Sequence, residues 1–373
     1  MSNTTAAPKS ICFMFLKAFL ATGGIEKVNR VILKSLWDME KEGQAKVSAL
    51  SPYAIGTDPH YFPAEKLNGY KGNKLRFMMD LLWRPYPFDT MLVGHINLAP
   101  AVCILKKRYP SLKIILIVHG IEVWRKLKGS KRWLLQHADQ IISVSEFTKG
   151  KLKNLNGINP EKVAVLPNCL DPFFKIPENL EKPAYLLKQY QLRPDQKVIL
   201  TVARLNAHEG YKGYDKVLQC MPALIEQFPD VQYILAGKYD HPERARLETI
   251  IQQLGIEKNV TIPGFIADEN LTDHYCLADV FVMPSKKEGF GIVFIEAMAC
   301  GTPAIGGNTD GSPEALRPGT LGYVVNPEDL QAISATIATV LNTSQSGTQL
   351  QQKTADCYNY PQYNKQFSQI TAA

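Results

Sequence analysis

An α/β fold of two domains, each built on a parallel sheet, is what the 373-residue sequence predicts. Two observations carry this. Short, apolar, β-rich runs alternate with helical segments from end to end, and continuous apolar strands separated by helices imply parallel sheets covered on both faces. The runs also fall into two series of six, divided at residues 172–196 by a stretch rich in proline and charge.

In chain order, the first series reads "SICFMF" (10–15), "KVSAL" (46–50), "TMLVGH" (90–95), "KIILIVH" (113–119), "QIISVS" (140–145) and "KVAVLPN" (162–168). The second reads "KVILTVA" (197–203), "VQYILAG" (231–237), "NVTIPGF" (259–265), "DVFVMPS" (279–285), "TPAIGG" (302–307) and "GYVVN" (322–326). Two Rossmann-like domains in tandem follow, with bounds at 1–175 and 185–355. The tail, 356–373, carries a helix after Pro361 and is expected to pack back on the first domain. In open α/β sheets ligands bind beyond the carboxyl ends of the strands, so strand-end residues are where chemistry is to be sought.

Composition narrows the class. The chain is 45% hydrophobic and 21% charged, as an ordinary globular protein is. No run approaches the roughly 18 apolar residues of a membrane span. The first apolar run, "ICFMFLKAFLA", follows one lysine and is broken by Lys17, which suits a strand entering a loop and not a signal peptide. Seven scattered cysteines without CxxC spacing suggest free thiols in a reducing cytoplasm. Charge is uneven: 26 Lys and Arg face 14 Asp and Glu in residues 1–180, and 16 face 21 in the remainder.

The stretch "EGFGIVFIEAMACGTPAIGG" (288–307) holds two glutamates eight positions apart. Glu288 stands at a Gly-Phe-Gly turn after a strand, and Glu296 lies inside an apolar helix that Gly301 and Pro303 end. Backbone N–H groups around Gly289, Phe290, Gly291 and Ile292 would lie at that helix's N-terminus, ready for an anionic phosphate. An ionised carboxylate only accepts hydrogen bonds, so a partly buried one suits the hydroxyls of a sugar or ribose. The alternative is that Glu296 caps a backbone group or pairs with an arginine in the core. Gly23 and Gly24 follow the first strand, where glycines permit close approach to phosphate or simply form a turn. There is no GxGxxG, which argues against a dinucleotide oxidoreductase.

The Glu-x7-Glu pattern with this Gly-Phe-Gly filling resembles the signature of the retaining GT-B glycosyltransferases of family 4 (group 1). Further matches fall in order along almost the whole chain: "GGIEKV" (23–28), "HGIEVW" (119–124), "ISVSEFTKGKL" (142–152), "LPNCLDPFF" (166–174), "VARLNAHEGYKGYD" (202–215), "ILAG" (234–237), "PGFI" (263–266) and "LADVFVMPSKKEGFG" (277–291). The resemblance implies a GT-B fold, two Rossmann-like domains with parallel sheets facing across a cleft. It implies a donor mainly on the second domain, an acceptor on the first, and retention at the anomeric carbon. By resemblance Arg204 and Lys212 hold the diphosphate, as a planar fork and a point charge respectively. His119 contacts the transferring sugar, Glu288 serves the same sugar, Glu296 the ribose, and Ile266 lies in the stretch that frames the base through backbone atoms. "GGNTDGSPEAL" (306–316) matches a loop whose amides reach sugar and phosphate.

The reading is a hexosyltransferase that uses a UDP- or GDP-sugar and an acceptor hydroxyl on a glycan, a lipid carrier or a small molecule. No Asp-x-Asp occurs, so no metal and no cofactor are expected, and fixed cations and amides are to offset the leaving group's charge. A catalytically silent nucleotide-binding subunit and a GT-B sugar-nucleotide epimerase are the rivals, with nucleic-acid binding disfavoured. The basic first half adds a question. Lys106, Lys107 and Arg108 are consecutive, and Arg125, Lys126, Lys128, Lys131 and Arg132 crowd one stretch. "NKLRFMMDLLWRPYPF" (73–88) sets Leu75, Met78, Met79 and Leu82 at helical spacing, with Phe77, Leu81 and Trp83 extending the apolar face. Either this is a core helix with solvated charges, or the face docks on anionic lipid, placing a cytoplasmic protein at the inner membrane surface.

Overall fold

The computed structural model describes residues 9–20, 23–86, 88–343 and 346–372, so Pro87 of the segment 73–88 and the outermost residues of the expected domain bounds lie outside it. The chain divides into two units, Met1–Pro172 with Tyr360–Ala373, and Phe173–Asn359. Each is a parallel sheet between helical layers.

The first unit's strands are β1 (Lys9–Met14), β2 (Ala45–Ser51), β3 (Leu67–Gly69), β4 (Thr90–Val93), β5 (Lys113–Val118), β6 (Gln140–Ser143) and β7 (Val163–Val165). Their order is β3-β2-β1-β4-β5-β6-β7, parallel throughout. The sequence had suggested six. The seventh, β3, is a three-residue edge strand, "LNG", too short to show a pattern. β4 and β5 are buried along nearly all their length, as double-sided cover requires.

The helices Lys74–Trp83, Ala99–Arg108 and Gly129–His137 pack on one side of this sheet. There Phe77, Leu81, Val102, Leu105, Leu134 and Leu135 meet alternate strand residues Cys12, Met14, Met91, Val93, Ile114 and Leu116. The helix Gly24–Lys41 leads from β1 to β2. The last helix, Tyr360–Ala372, rests on it: Tyr360 donates its hydroxyl to Asp38 at 2.7 Å, and Tyr363 and Phe367 are buried. Lys34 and Lys41 also pair with Asp38, and although burial opposes it, these partners hold its carboxyl below the usual range.

The second unit has β8 (Val198–Val202), β9 (Gln232–Ala236), β10 (Val260–Gly264), β11 (Val280–Met283), β12 (Ala304–Gly307) and β13 (Tyr323–Val325), in the order β10-β9-β8-β11-β12-β13. The order reverses between β8 and β11, which is the topological switch point where open α/β sheets bind ligands. All seven cysteines are free, and among the described residues no helix is long and apolar enough to cross a membrane.

Candidate active site

Two strands at the switch point supply the principal charged pair. Beyond β8 a 3-10 turn, Gly210–Lys212, presents Lys212, and beyond β11 the loop 284–291 presents Glu288. Lys212 Nζ lies 2.5 Å from Glu288 Oε2, with both side chains largely shielded. Burial alone would push the ammonium down. The adjacent Glu288 carboxylate, with Tyr211 and Glu209 near, outweighs this and holds Lys212 above the ordinary lysine value.

The backbone fixes the pair. Lys286 N–H donates to the carbonyl of Tyr211 at 2.9 Å, tying the two loops together. Gly213 sits at φ +78°, and a Cβ there would lie 2.3 Å from the Pro284 carbonyl oxygen. Only glycine permits both that conformation and that approach.

Arg204 follows β8 and is exposed, with its guanidinium 2.8 Å from Glu209 Oε1. Glu209 is itself well shielded, and its Oε2 is buried without a hydrogen-bond partner. Two cations and two carboxylates thus share the rim of β8 and β11. Glu209, not singled out from the sequence, is the group that holds Arg204.

Asp310 organises the other side of the Glu288 loop. It is 3% exposed and accepts from the Ser285 hydroxyl (2.7 Å), from Glu288 N–H (2.7 Å) and from Ser312 N–H (2.9 Å). Burial raises its carboxyl pKa even though these donors act against the shift. Gly311 N–H returns a bond to the Glu288 carbonyl at 2.8 Å, and a Cβ on Gly311 would stand 2.2 Å from the Gly289 carbonyl oxygen. The glycines of 306–311 therefore let two loops meet. Asp310 had been read only as part of that glycine-rich loop. Nothing in "NTDGS" distinguishes a buried aspartate from a turn residue.

Gly289, Phe290, Gly291 and Ile292 are buried where the helix Ile292–Ala299 begins, with Gly291 at its cap. Phe290 meets the Tyr358 ring edge-on at 5.8 Å. Glu296, 2% exposed, accepts from the Tyr275 hydroxyl at 3.1 Å. Ile266 is half-buried in the loop between β10 and the helix Asp268–Leu277.

In the first unit, Gly23 caps the helix Gly24–Lys41 in an extended conformation, and Gly24 opens it. His119 lies one residue beyond β5, and its Nε2 is 2.8 Å from the Gly94 carbonyl. A carbonyl only accepts, so Nε2 carries a proton, and in the neutral ring Nδ1 is then the acceptor. Nδ1 is buried with no partner, an arrangement suited to a hydroxyl donor. His95, beyond β4, stacks near it with ring centres 6.4 Å apart. Its Nδ1 accepts from Asn97 N–H at 3.0 Å.

Such a fold, with a Lys–Glu pair and a glycine-held loop at the switch point, defines a Rossmann-like two-unit protein of the GT-B class. Residues 186–356 match the family model "Glycosyl transferases group 1", and residues 40–173 match "Glycosyltransferase Family 4". The chain belongs to this group 1, family 4 type of GT-B glycosyltransferase.

Among its relatives, a GDP-mannose-dependent α-(1-6)-phosphatidylinositol monomannoside mannosyltransferase of Mycolicibacterium smegmatis is 29% identical over 64% of this chain and 63% of the relative. An uncharacterised glycosyltransferase of Methanocaldococcus jannaschii is 32% identical over 54% of this chain and 51% of the relative. The chain thus spans less than two thirds of these relatives' length. Among solved structures, Anabaena HepE in complex with UDP superposes with TM-score 0.78 at 19% identity, covering 97% of this chain and 99% of that one. Sucrose-phosphate synthase from Thermosynechococcus elongatus gives 0.77 at 20%, covering 97% and 98%. At these identities the structures show the shared fold.

Proposed function

We propose that the protein is a retaining hexosyltransferase that moves a sugar from UDP- or GDP-sugar to an acceptor hydroxyl on a glycan, a lipid carrier or a small molecule. The observation that carries this reading is the Lys212–Glu288 pair, 2.5 Å apart beside the buried Gly289–Ile292 backbone. A departing nucleoside diphosphate gains negative charge, and Lys212, Arg204 and the N-terminal amides of the helix Ile292–Ala299 are the groups that offset it. Glu288, released from Lys212 as phosphate takes its place, accepts hydroxyls of the sugar. Glu296 accepts from the ribose, and Ile266 with its neighbours frames the base through backbone atoms. His119 offers its bare Nδ1 to a sugar hydroxyl, and Gly23 and Gly24 present a helix N-terminus to phosphate; these two roles rest on the family resemblance.

The acceptor oxygen attacks the anomeric carbon from the face that the diphosphate leaves. The bond to the diphosphate breaks as the new bond forms, and the acceptor proton passes to the departing phosphate. No metal takes part in this reading. The mannosyltransferase relatives named for GDP-mannose and for a phosphatidylinositol acceptor support a guanine nucleotide and a lipid acceptor among these options.

The test is a thermal-shift panel of UDP, GDP, ADP and their sugars, followed by release of the free nucleotide on adding acceptor. A ligand that binds only the native state raises its melting temperature, by about 2.7 kcal/mol of stabilisation at a hundred times Kd. One diphosphate sugar should stand out and should still do so in EDTA. A flat panel, or strict dependence on a divalent ion, refutes the reading.

A further inference from the structure

The helix Lys74–Trp83 is apolar on two sides, and only one of them is covered. Phe77 and Leu81 enter the core of the first unit. Leu75, Met79, Leu82 and Trp83 are 72, 50, 48 and 76% exposed. At about 100° per residue these four fall within an arc of roughly 100° on the helix, turned away from Phe77 and Leu81. Single exposed apolar residues need no explanation, whereas four on one arc do.

The charges around them have one sign. Lys71, Lys74, Arg76 and Arg84 are all exposed, and the one acidic residue in 71–84 is Asp80. Asp80 is half-buried and engaged, accepting from the Tyr70 hydroxyl at 2.6 Å and lying 3.6 Å from Arg84. The helices Ala99–Arg108 and Gly129–His137 follow on the same side of the sheet. Residues 71–84, 99–108 and 124–137 together hold twelve Lys and Arg against that single acid. The helix is also firmly seated. Arg108 donates to the carbonyls of Leu81, Trp83 and Arg84 at 3.1, 3.2 and 2.8 Å, closing its C-terminal turn.

We infer that this face of the first unit docks on the surface of an anionic lipid bilayer, with Leu75, Met79, Leu82 and Trp83 entering the headgroup boundary and the surrounding cations facing lipid phosphates. An apolar arc flanked by Lys and Arg, with a Trp on it, matches an interface that is apolar below and negative above. A second copy of the chain fits less well, since a twofold contact would set cations against cations. Docking here goes beyond the transferase reading and does not depend on it.

The experiment is co-sedimentation of the full chain with phosphatidylcholine vesicles, with and without about 30% phosphatidylglycerol, at low salt and near 0.5 M salt. Binding to the anionic vesicles should exceed binding to neutral ones by on the order of 100-fold at low salt and fall away at high salt. Leu75→Ser, Met79→Ser, Leu82→Ser and Trp83→Ser combined should reduce it at least about tenfold with the melting temperature kept, because these side chains support no core. Lys71→Gln, Lys74→Gln and Arg76→Gln combined should do likewise. Brominated lipid should quench the emission that Trp83→Phe removes. Wild-type protein that ignores anionic vesicles at low salt overturns the inference. So does a serine variant that binds as well as wild type, or a wild-type dimer that the serine variant dissolves. Nucleotide-sugar binding, measured alongside without vesicles, reports on the transferase reading separately.

Discussion

Replacing Asp310 by Asn asks whether a buried carboxylate holds Glu288 where Lys212 meets it. Three donors converge on Asp310, two on Oδ2 and one on Oδ1. An amide of the same shape has one acceptor oxygen, so at least one donor then faces an NH₂ group. A hydrogen bond to an ionised acceptor contributes about 1.5–3 kcal/mol, and a stranded buried donor costs about 1–3 kcal/mol. Removing the charge relieves part of this, because burial already disfavours the ionised form and raises the pKa of Asp310. A net loss of about 2 kcal/mol remains, or roughly a 30-fold rise in local opening. Hydrogen exchange of the Glu288 and Ser312 amides reads it directly, and titration with the preferred nucleotide sugar should show weaker binding. All four tryptophans, at 37, 83, 124 and 133, lie in the first unit, so their emission serves as a control that should not move. Unchanged exchange at Glu288 with unchanged donor affinity would refute the argument. The sign of its pH dependence is also fixed. A carboxyl whose folded pKa is raised gains stability as pH falls through that value, so wild type should pull further ahead of Asp310→Asn as pH drops towards the usual carboxylate range.

Glu296→Gln should weaken nucleotide binding by about 1–3 kcal/mol in a calorimetric titration, while Glu288→Gln should depress turnover more than free-nucleotide affinity. Arg204→Ala and Lys212→Ala should each slow transfer by about 100-fold or more in a nucleotide-release assay, the proposed role of both being to stabilise developing charge. Burial, opposed by Glu122 and aided by His119 and Lys131, pushes His95 down to about 4. The unfolded chain takes up that proton near pH 6.5, so stability is full above about 6.5 and falls by roughly 3 kcal/mol as pH drops towards 4. His95→Asn, which keeps an acceptor for Asn97 N–H, should flatten this acid loss in urea titrations followed by tryptophan emission.

Strands were the most legible part of the sequence, because a parallel sheet covered on both faces leaves unbroken apolar runs such as "KIILIV". Only the edge strand Leu67–Gly69 escaped. Helix faces were harder. In Lys74–Trp83 the spacing grouped Leu75 with Met78, Met79 and Leu82, yet the core takes Phe77 and Leu81. Seven of its ten residues are apolar and Lys74, Arg76 and Asp80 are scattered among them, so no single polar side shows which face turns inward. Lys212 and Glu288 could each be singled out in the sequence, but their contact across 76 positions comes from Tyr211, Lys286, Gly213 and Pro284, which have no local signature. Asp310 and Glu209 were hidden for the same reason: their partners lie on other strands' loops or in a turn that reads as solvent-exposed.

The first unit is assembled from two separated runs of chain, with the whole second unit between them. A ribosome adding about 5–20 residues per second therefore completes the second unit before the first has received the helix Tyr360–Ala372. Until then the groove for Tyr363 and Phe367 lies open, and Asp38 lacks its tyrosine partner. A stop codon at position 360 would thus injure the unit encoded first and spare the one encoded last. Released chains truncated there should show a protease-sensitive first unit beside a protected second one.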